Sequence, residues 1–527
     1  MKLFPSLLVV ALLLGPAASP APADPAGPFV WGEKTHVADA GWGRMTRLTD
    51  GRWLCVNNLY PRPNSVLQLE ISADNARTWT PLATVAEAGR NLDNGEVIPL
   101  PGGAILLTCR SVVNGRSYHL PVYRSADGGK TWTFLSQVDT SDSPVNGNRP
   151  SQGLWEPHFF LLPDGRIAVA YANEKHSVEN PAYSQVCSEK VSSDGGKTWG
   201  PEVRLAAQIG GGGQRPGMPV VTRMTNGQYI AVYEVVGVGN ADVYEKTSRD
   251  GVHWPPGIGV PVPGQHAGPC VTSLKDGRLV ASSCSNQISY SDDFGATWLR
   301  AAPPAWDYGQ VYTWPALCQT GPDEIAAMTT RHGVEIRWGR VLPRRPWPAA
   351  YSDDFAAGSD SGWARYGGRY AFADGAYLLQ NAGATGKALT GSEFWADGTL
   401  EADVMLTSAG NAGLLLRVTN ADDTGPDAMF GYYIGLDSDG RLFLSRSADD
   451  YVPLASVPMA VALNTWLHVK VVAKGSVLRV YAGDAPTPRL VVNDSFFRRG
   501  QIGVRAHLCS AEFRHVRYRD ASPARPQ

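Results

Sequence analysis

Short runs of Val, Ile, Leu and aromatic residues, each broken by a turn rich in Gly, Pro or Asp, recur along the chain. That rhythm is the pattern of strands and tight turns and predicts an all-β protein. Six times an apolar run, an Asp-Gly-like turn and a second apolar run follow one another. The six are Met45–Val56, Val97–Thr108, Pro157–Tyr171, Pro219–Tyr233, Pro269–Ser282 and Pro315–Met328. Asn-Gly and Asp-Gly between β-type runs are strong short-range hairpin signals, so each segment is expected to form two antiparallel strands.

A second motif alternates with the hairpins. Ser125-Ala-Asp127-Gly-Gly129-Lys-Thr131-Trp132 returns as Ser192-Ser-Asp194-Gly-Gly196-Lys-Thr198-Trp199 and as Ser291-Asp-Asp293-Phe-Gly295-Ala-Thr297-Trp298. Weaker copies run from Ser72 to Trp79 and from Ser248 to Trp254, the latter one residue short. In such Asp-boxes the Asp bonds the N–H groups of its own turn, and the Trp plugs the turn onto the sheet. Their role is structural. Six hairpins with five boxes predict six four-stranded blades over residues 29–345, a six-bladed β-propeller, with Phe29–Val37 supplying the strand that closes the ring. After Pro343-Arg344-Arg345-Pro346 the boxes stop. Strands are expected at Asp353–Phe355, Leu400–Met405, Gly413–Val418, Phe430–Leu436, Trp466–Val472, Val477–Tyr481 and Gln501–Val504, which predicts a β-sandwich over residues 351–522.

Propeller geometry then locates candidate chemistry. Residues just before the first strand of each blade, and just after the second, should ring one pocket on the face opposite the hairpin turns. They are Arg44, Asn58, Asn94, Arg110, Glu156, Glu174, Arg215, Glu234, His266, Tyr312 and Arg331, with Trp155 and Trp314 beside them. Glu156 stands at a strand start in Leu154-Trp155-Glu156-Pro157. Glu234 is a lone carboxylate at the tip of the apolar run Tyr229–Tyr233. An apolar flank raises a carboxyl's pKa, which suits an acid, and glycoside hydrolysis uses such a carboxyl pair.

Composition narrows the setting. Met1–Ala23 has a basic residue, a short apolar run and small residues ending in Ala-Pro-Ala, the pattern of a secretory signal, so an extracellular location is expected. A net charge of −2 with scattered Lys and Arg argues against a nucleic-acid surface, and no later stretch has the length of a membrane span. Seven cysteines without Cys-x-x-Cys spacing carry no zinc signature, and neither cofactor nor metal is expected. Cys270 and Cys284 flank the turn at Asp276-Gly277 and could face each other, although two buried thiols are the favoured reading.

The Asp-boxes and six hairpins resemble the sialidase superfamily. Within it, Gly153-Leu-Trp155-Glu156-Pro157 and Gly217-Met-Pro-Val-Val221, leading to Tyr233-Glu234, resemble glycoside hydrolase family 93. That resemblance implies a retaining exo-arabinanase acting on the non-reducing end of α-1,5-L-arabinan, with Glu156 as acid/base, Glu234 as nucleophile and Tyr312 near the anomeric carbon; separately, a monomer is expected. A sialidase is the rival: Tyr312 with Glu234 would form its nucleophile, Arg44, Arg215 and Arg331 its carboxylate clamp, and Asp93 is the nearest candidate acid. A glycan-binding propeller without catalysis is the third reading. Asn464-Thr-Trp466-Leu-His-Val-Lys470 resembles concanavalin-like jelly-roll sandwiches, including laminin-G-like modules and family 66 carbohydrate-binding modules, which implies a glycan ligand for the second domain.

Overall fold

The computed structural model describes residues 27–61, 63–142, 152–208, 213–309, 311, 313–344, 348–380 and 385–521. The chain divides into two compact units, residues 25–345 and residues 346–527. The expected signal Met1–Ala23 and the ring candidate Tyr312 lie outside the described residues.

The first unit is a six-bladed propeller. Blade one holds β2 (Gly41–Arg47), β3 (Trp53–Leu59), β4 (Val66–Ser72) and β5 (Thr80–Val85), with β1 (Phe29–Ala38) preceding them. Blade two holds β6 (Asn91–Pro99), β7 (Ile105–Val113), β8 (Ser117–Ser125) and β9 (Thr133–Ser141). Blade three holds β10 (Leu154–Leu161), β11 (Ile167–Asn173), β12 (Val186–Ser192) and β13 (Val203–Ala206). Blade four holds β14 (Arg215–Arg223), β15 (Tyr229–Val236), β16 (Asp242–Ser248) and β17 (Val260–His266). Blade five holds β18 (Cys270–Ser273), β19 (Leu279–Ser282), β20 (Ile288–Ser291) and β21 (Leu299–Ala301). Blade six is β22 (Ala316–Gly321), β23 (Glu324–Thr329), β24 (Val334–Val341) and, as its outer strand, β1, which runs antiparallel to β24 from Phe29↔Val341 to Ala38↔Val334.

Alternation puts every second side chain of a blade against the neighbouring blade. Leu106, Leu120 and Val122 of blade two thus pack with Phe159, Val169 and Tyr171 of blade three. The Asp-boxes sit on the β-turns between third and fourth strands. In one of them Asp127 Oδ1 accepts from the N–H of Lys130 (3.1 Å) and Thr131 (3.0 Å), and the Ser125 hydroxyl accepts from Gly129 N–H at 2.9 Å. The short copy keeps the pattern because His253 replaces the Thr, donating Nδ1–H to Asp250 Oδ2 at 2.6 Å. The boxes adjoin the hairpin turns, away from the ring: a Cβ at Gly128 would lie 2.8 Å from Arg52 Nη2 of the first hairpin.

The boxes also join blades. Trp254 Nε1 donates to Glu189 Oε2 of the preceding blade at 2.9 Å, and Trp298 Nε1 to Glu245 Oε2 at 2.7 Å. Burial pushes the Glu245 carboxyl up to about 8, with the Trp298 bond opposing the shift. The protonated form is therefore favoured by folding. Its stabilisation is complete below the ordinary carboxyl value and is lost as pH rises toward 8. Glu245→Gln keeps an acceptor for Trp298 without a charge. Its melting temperature should exceed that of the parent by at least about 2 °C at pH 9 and match it at about pH 4, as read by differential scanning calorimetry.

The second unit is a sandwich of two antiparallel sheets, one built around strands Gly398–Leu406, Leu467–Lys474 and Ala511–Asp520, the other around Asn411–Thr419, Phe430–Asp437 and Gln501–His507. Leu400, Ala402 and Val404 meet Leu414, Leu416, Tyr432 and Ile434 in its core. Several strands escape the sequence pattern. In Ala511–Asp520 the buried Phe513, Val516 and Tyr518 are spaced three and then two apart. The pairing with Gly398–Leu406 slips between Glu401 and Asp403, and His515 takes a left-handed φ of 52°. One inserted residue hides the alternation. All seven cysteines are free, and Cys270 and Cys284 are both buried thiols.

Candidate active site

One backbone feature repeats six times. At the entrance to the first strand of each blade the backbone turns left-handed: at Trp42 (φ 54°), Asn94 (52°), Glu156 (46°), Met218 (51°), Gly268 (48°, after Ala267 at 54°) and Trp314 (41°). The next residue is always Gly or Pro: Gly43, Gly95, Pro157, Pro219, Pro269, Pro315. In blades one to four the register between first and second strand slips at this point, so these four positions are bulges. Left-handed geometry costs a side-chain-bearing residue roughly 1–2 kcal/mol, and bulges re-aim side chains, often beside active sites. Five of the six carry side chains. Two residues further on, Arg44, Glu96 and His158 touch across blades: Glu96 Oε2 is 4.0 Å from Arg44 Nε and 3.7 Å from His158 Nδ1, which places these first strands around a common channel.

Glu156 occupies the bulge of blade three. Its carboxyl makes no hydrogen bond among the described residues, and desolvation by the channel wall pushes it up to about 8; the Arg110 charge opposes this, while Glu234, Glu174 and Asp93 add to it. Glu234 arrives from blade four, carried at the end of the fully buried run Tyr229–Tyr233. Its Oε2 accepts the Gly268 N–H at 2.7 Å. Burial raises Glu234 as well, and the Gly268 N–H and the Arg215 guanidinium pull it back. Both glutamates also raise the buried Cys187 thiol, so the two carboxyls converge on one region. Glycine at 268 leaves room for this arrangement: a Cβ there would lie 3.0 Å from both Trp314 Cδ1 and Cys284 Sγ.

The remaining ring candidates divide by what they touch. Glu174 accepts from Gly153 N–H at 2.9 Å and from Arg215 Nη2 at 2.7 Å, and Arg215 also donates to Gln185 Oε1 at 2.8 Å; this pair braces the loops behind the glutamates. Arg110 donates to Asp93 Oδ2 at 2.7 Å with its guanidinium 5.1 Å from the Trp155 ring, while Asp93 Oδ1 accepts from Asn58 Nδ2 and from Asn94 N–H (2.8 Å). Asn58 Oδ1 and Asn94 Oδ1 are buried beside this cluster without partners among the described residues, acceptors of the kind a ligand hydroxyl satisfies. Arg44 lies 4.1 Å from the Trp42 ring and donates to the carbonyls of Gly43 (2.9 Å) and Trp314 (3.2 Å). His266 donates Nδ1–H to Asp242 at 2.8 Å, and Arg331 is exposed in an isolated bridge with Gly333. Trp314 is 39 % exposed, and ring order puts it across the channel from Glu156.

Sequence reasoning passed over Trp42, Glu96, His158, Met218, Gln185 and Gly268. The signal that finds most of them is the Gly or Pro that follows each bulge. Among the described residues no three His, Cys, Asp or Glu side chains are grouped to hold a metal ion.

With this geometry in hand, known proteins place the fold. Residues 75–281 match the family of the BNR repeat-like domain. That match lies within the six-bladed propeller of the first unit. Residues 354–519 of the second unit match the 3-keto-alpha-glucoside-1,2-lyase-like domain. No curated protein matches the chain. Among solved structures, a single-site mutant of the α-L-arabinofuranosidase of Fusarium graminearum, in complex with an iminosugar inhibitor, is 21% identical. The match covers 59% of this chain and 98% of that one with a TM-score of 0.50. The α-L-arabinanase of Penicillium chrysogenum complexed with arabinobiose is 22% identical over 60% and 97% of the two chains, with a TM-score of 0.46. The carbohydrate-binding module CBM66 of Bacillus subtilis is 20% identical over 30% and 96%, with a TM-score of 0.27. At 21% identity, the likeness to the arabinofuranosidase speaks for the propeller fold alone.

Proposed function

We propose that the propeller is a retaining glycoside hydrolase that removes arabinofuranosyl units from the non-reducing end of an arabinan-type polysaccharide, with Glu156 as acid/base and Glu234 as nucleophile. The observation that carries this reading is the asymmetry of the pair. Glu156 is desolvated, free of hydrogen bonds among the described residues and pushed up to about 8, so it holds a proton at neutral pH. Glu234 is gripped by the Gly268 N–H and faced by the Arg215 charge, both of which favour its ionised form. Two carboxyls whose surroundings separate their protonation are the equipment of glycosidic cleavage.

In the first step Glu156 gives its proton to the leaving oxygen while Glu234 attacks the anomeric carbon. In the second Glu156 takes a proton from water, which displaces Glu234 and restores both groups. The neighbours' names supply the choice of arabinose; they are an arabinofuranosidase and an arabinanase. Against sialidase chemistry, both oxygens of Asp93 are already engaged, and Arg44 and Arg215 are committed to carbonyls and to Glu174 and Gln185. The sandwich is proposed to hold the polysaccharide, and the N-terminal segment to direct the protein out of the cell.

One preparation assayed on an aryl α-L-arabinofuranoside, linear arabinan and a sialoside tests this. Hydrolysis of the first two is expected, with kcat/KM falling above about pH 8 as Glu156 loses its proton. On the acid side it should fall as Glu234 gains one, above the usual carboxylate range. Cleavage of the sialoside alone would overturn the arabinan assignment, and no cleavage of any glycoside would overturn the enzymatic one.

A further inference from the structure

A cleft of about 260 Å³ opens where blades one and two meet. That is below the roughly 300–1,000 Å³ of drug-sized pockets and suits one sugar ring. Tyr60, Pro61 and Pro63, which follow the second strand of blade one, line the cleft together with Asn91, Asp93, Arg110 and Asn114 of blade two. Tyr60 is 63% exposed, an aromatic face held at the rim rather than in a core. The Tyr60 hydroxyl, the Asn91 Nδ2 and the Asn114 amide make no hydrogen bond among the described residues, while Asn91 Oδ1 accepts from Ser65 N–H at 3.1 Å. Among the described lining residues the charged groups are Arg110 and Asp93, which satisfy each other, with Arg110 Nη2 and Asp93 Oδ2 at 2.7 Å. Tyrosine and proline surfaces together with amides that have no partner among the described residues offer apolar contact and hydrogen bonds to a polyhydroxylated ring.

Its place in the ring gives it a direction. Going round the channel, Glu234 stands on blade four, Glu156 on blade three, Arg110 and Asp93 on blade two and Tyr60 on blade one. The cleft thus lies beyond the acid/base, on the side away from the nucleophile. A leaving group protonated by Glu156 departs on that side.

We infer that the cleft between blades one and two, built on Tyr60, Asn91 and Asn114, is a binding site for the neutral sugar unit on the leaving-group side of the scissile bond. This rests on the glycosidase reading above. The same site receives an acceptor sugar that competes with water for the glycosyl-enzyme: the acceptor hydroxyl passes its proton to Glu156 and takes the glycosyl group from Glu234, so the exchange balances without a co-reactant.

Tyr60→Ala and, separately, Asn114→Ala test this in the full-length protein. Two ratios are read for each: kcat/KM on α-1,5-arabinotriose over that on an aryl arabinofuranoside, and transfer to added arabinobiose over hydrolysis. Both ratios are expected to fall, the first by at least about 10-fold for Tyr60→Ala, since the aryl group does not need a sugar site. Unchanged ratios in both variants would overturn the site. So would a fall in the first ratio with transfer intact, because the cleft would then serve the glycone. Should the parent chain hydrolyse neither substrate, the glycosidase reading fails, and calorimetric titration with arabinotriose still judges the cleft. Weaker binding by Tyr60→Ala supports it, and equal or absent binding in parent and variant overturns it.

Discussion

Glu234→Gln is expected to fold as the parent does and to lose turnover by on the order of 10⁵-fold on every glycoside tested. The amide keeps the shape of the side chain and can still accept the Gly268 N–H, which the parent carboxylate accepts at 2.7 Å. What disappears is the carboxylate that bonds to the anomeric carbon, so no glycosyl-enzyme forms even from a substrate with an excellent leaving group. Leaving-group quality therefore should not rescue this variant. Rapid-quench kinetics with an aryl arabinofuranoside, together with a melting curve, check both halves. A folded variant with a burst of phenol release would remove Glu234 from the nucleophile's role.

Glu156→Ala should behave differently. Loss of a general acid and base costs about 10²–10⁴-fold where the leaving group needs its proton, as in arabinan. An aryl glycoside with a good leaving group needs little help to depart, so its first step should survive and the second become limiting. Azide occupies the space left by the carboxyl and attacks without a base, so it should restore turnover and yield a glycosyl azide of retained configuration. The alkaline fall of kcat/KM near pH 8 should vanish with Glu156, because the group responsible is the one burial holds protonated. The measurement is a pH series with and without azide, with the product's configuration read by NMR. An azide product of inverted configuration would identify an inverting enzyme, and retention of the alkaline limb would assign it to another group.

Much of the scaffold is visible in the chain because its cues are local. An Asp bonding its own turn and a Gly after an apolar run need no distant partner. The bulge at Glu156 is only half visible: Pro157 marks the place, but nothing in a glutamate announces a left-handed backbone, which is imposed by the slip between Trp155 and His158 against β11. Glu174 and Arg215 look like ring residues for a substrate by position. Their salt bridge is fixed by the seam between blades three and four, and no periodicity reports a seam. The final sandwich strand was hidden for a comparable reason, since its bulge at His515 shifts the apolar side chains out of step.

The closing strand makes the propeller's last event of assembly depend on its first-made segment. Phe29 pairs with Val341, so blade six stays one strand short until the whole unit has been synthesised. Joining ends separated by roughly 300 residues costs an unfolded chain on the order of 5 kcal/mol in entropy, but preformed blades bring the two ends together beforehand. The seam is therefore a latch that shuts late and slowly, as pairings distant in sequence do. Until it shuts, β24 offers a bare strand edge to any neighbouring molecule, which makes the interval before closure the moment of greatest aggregation risk.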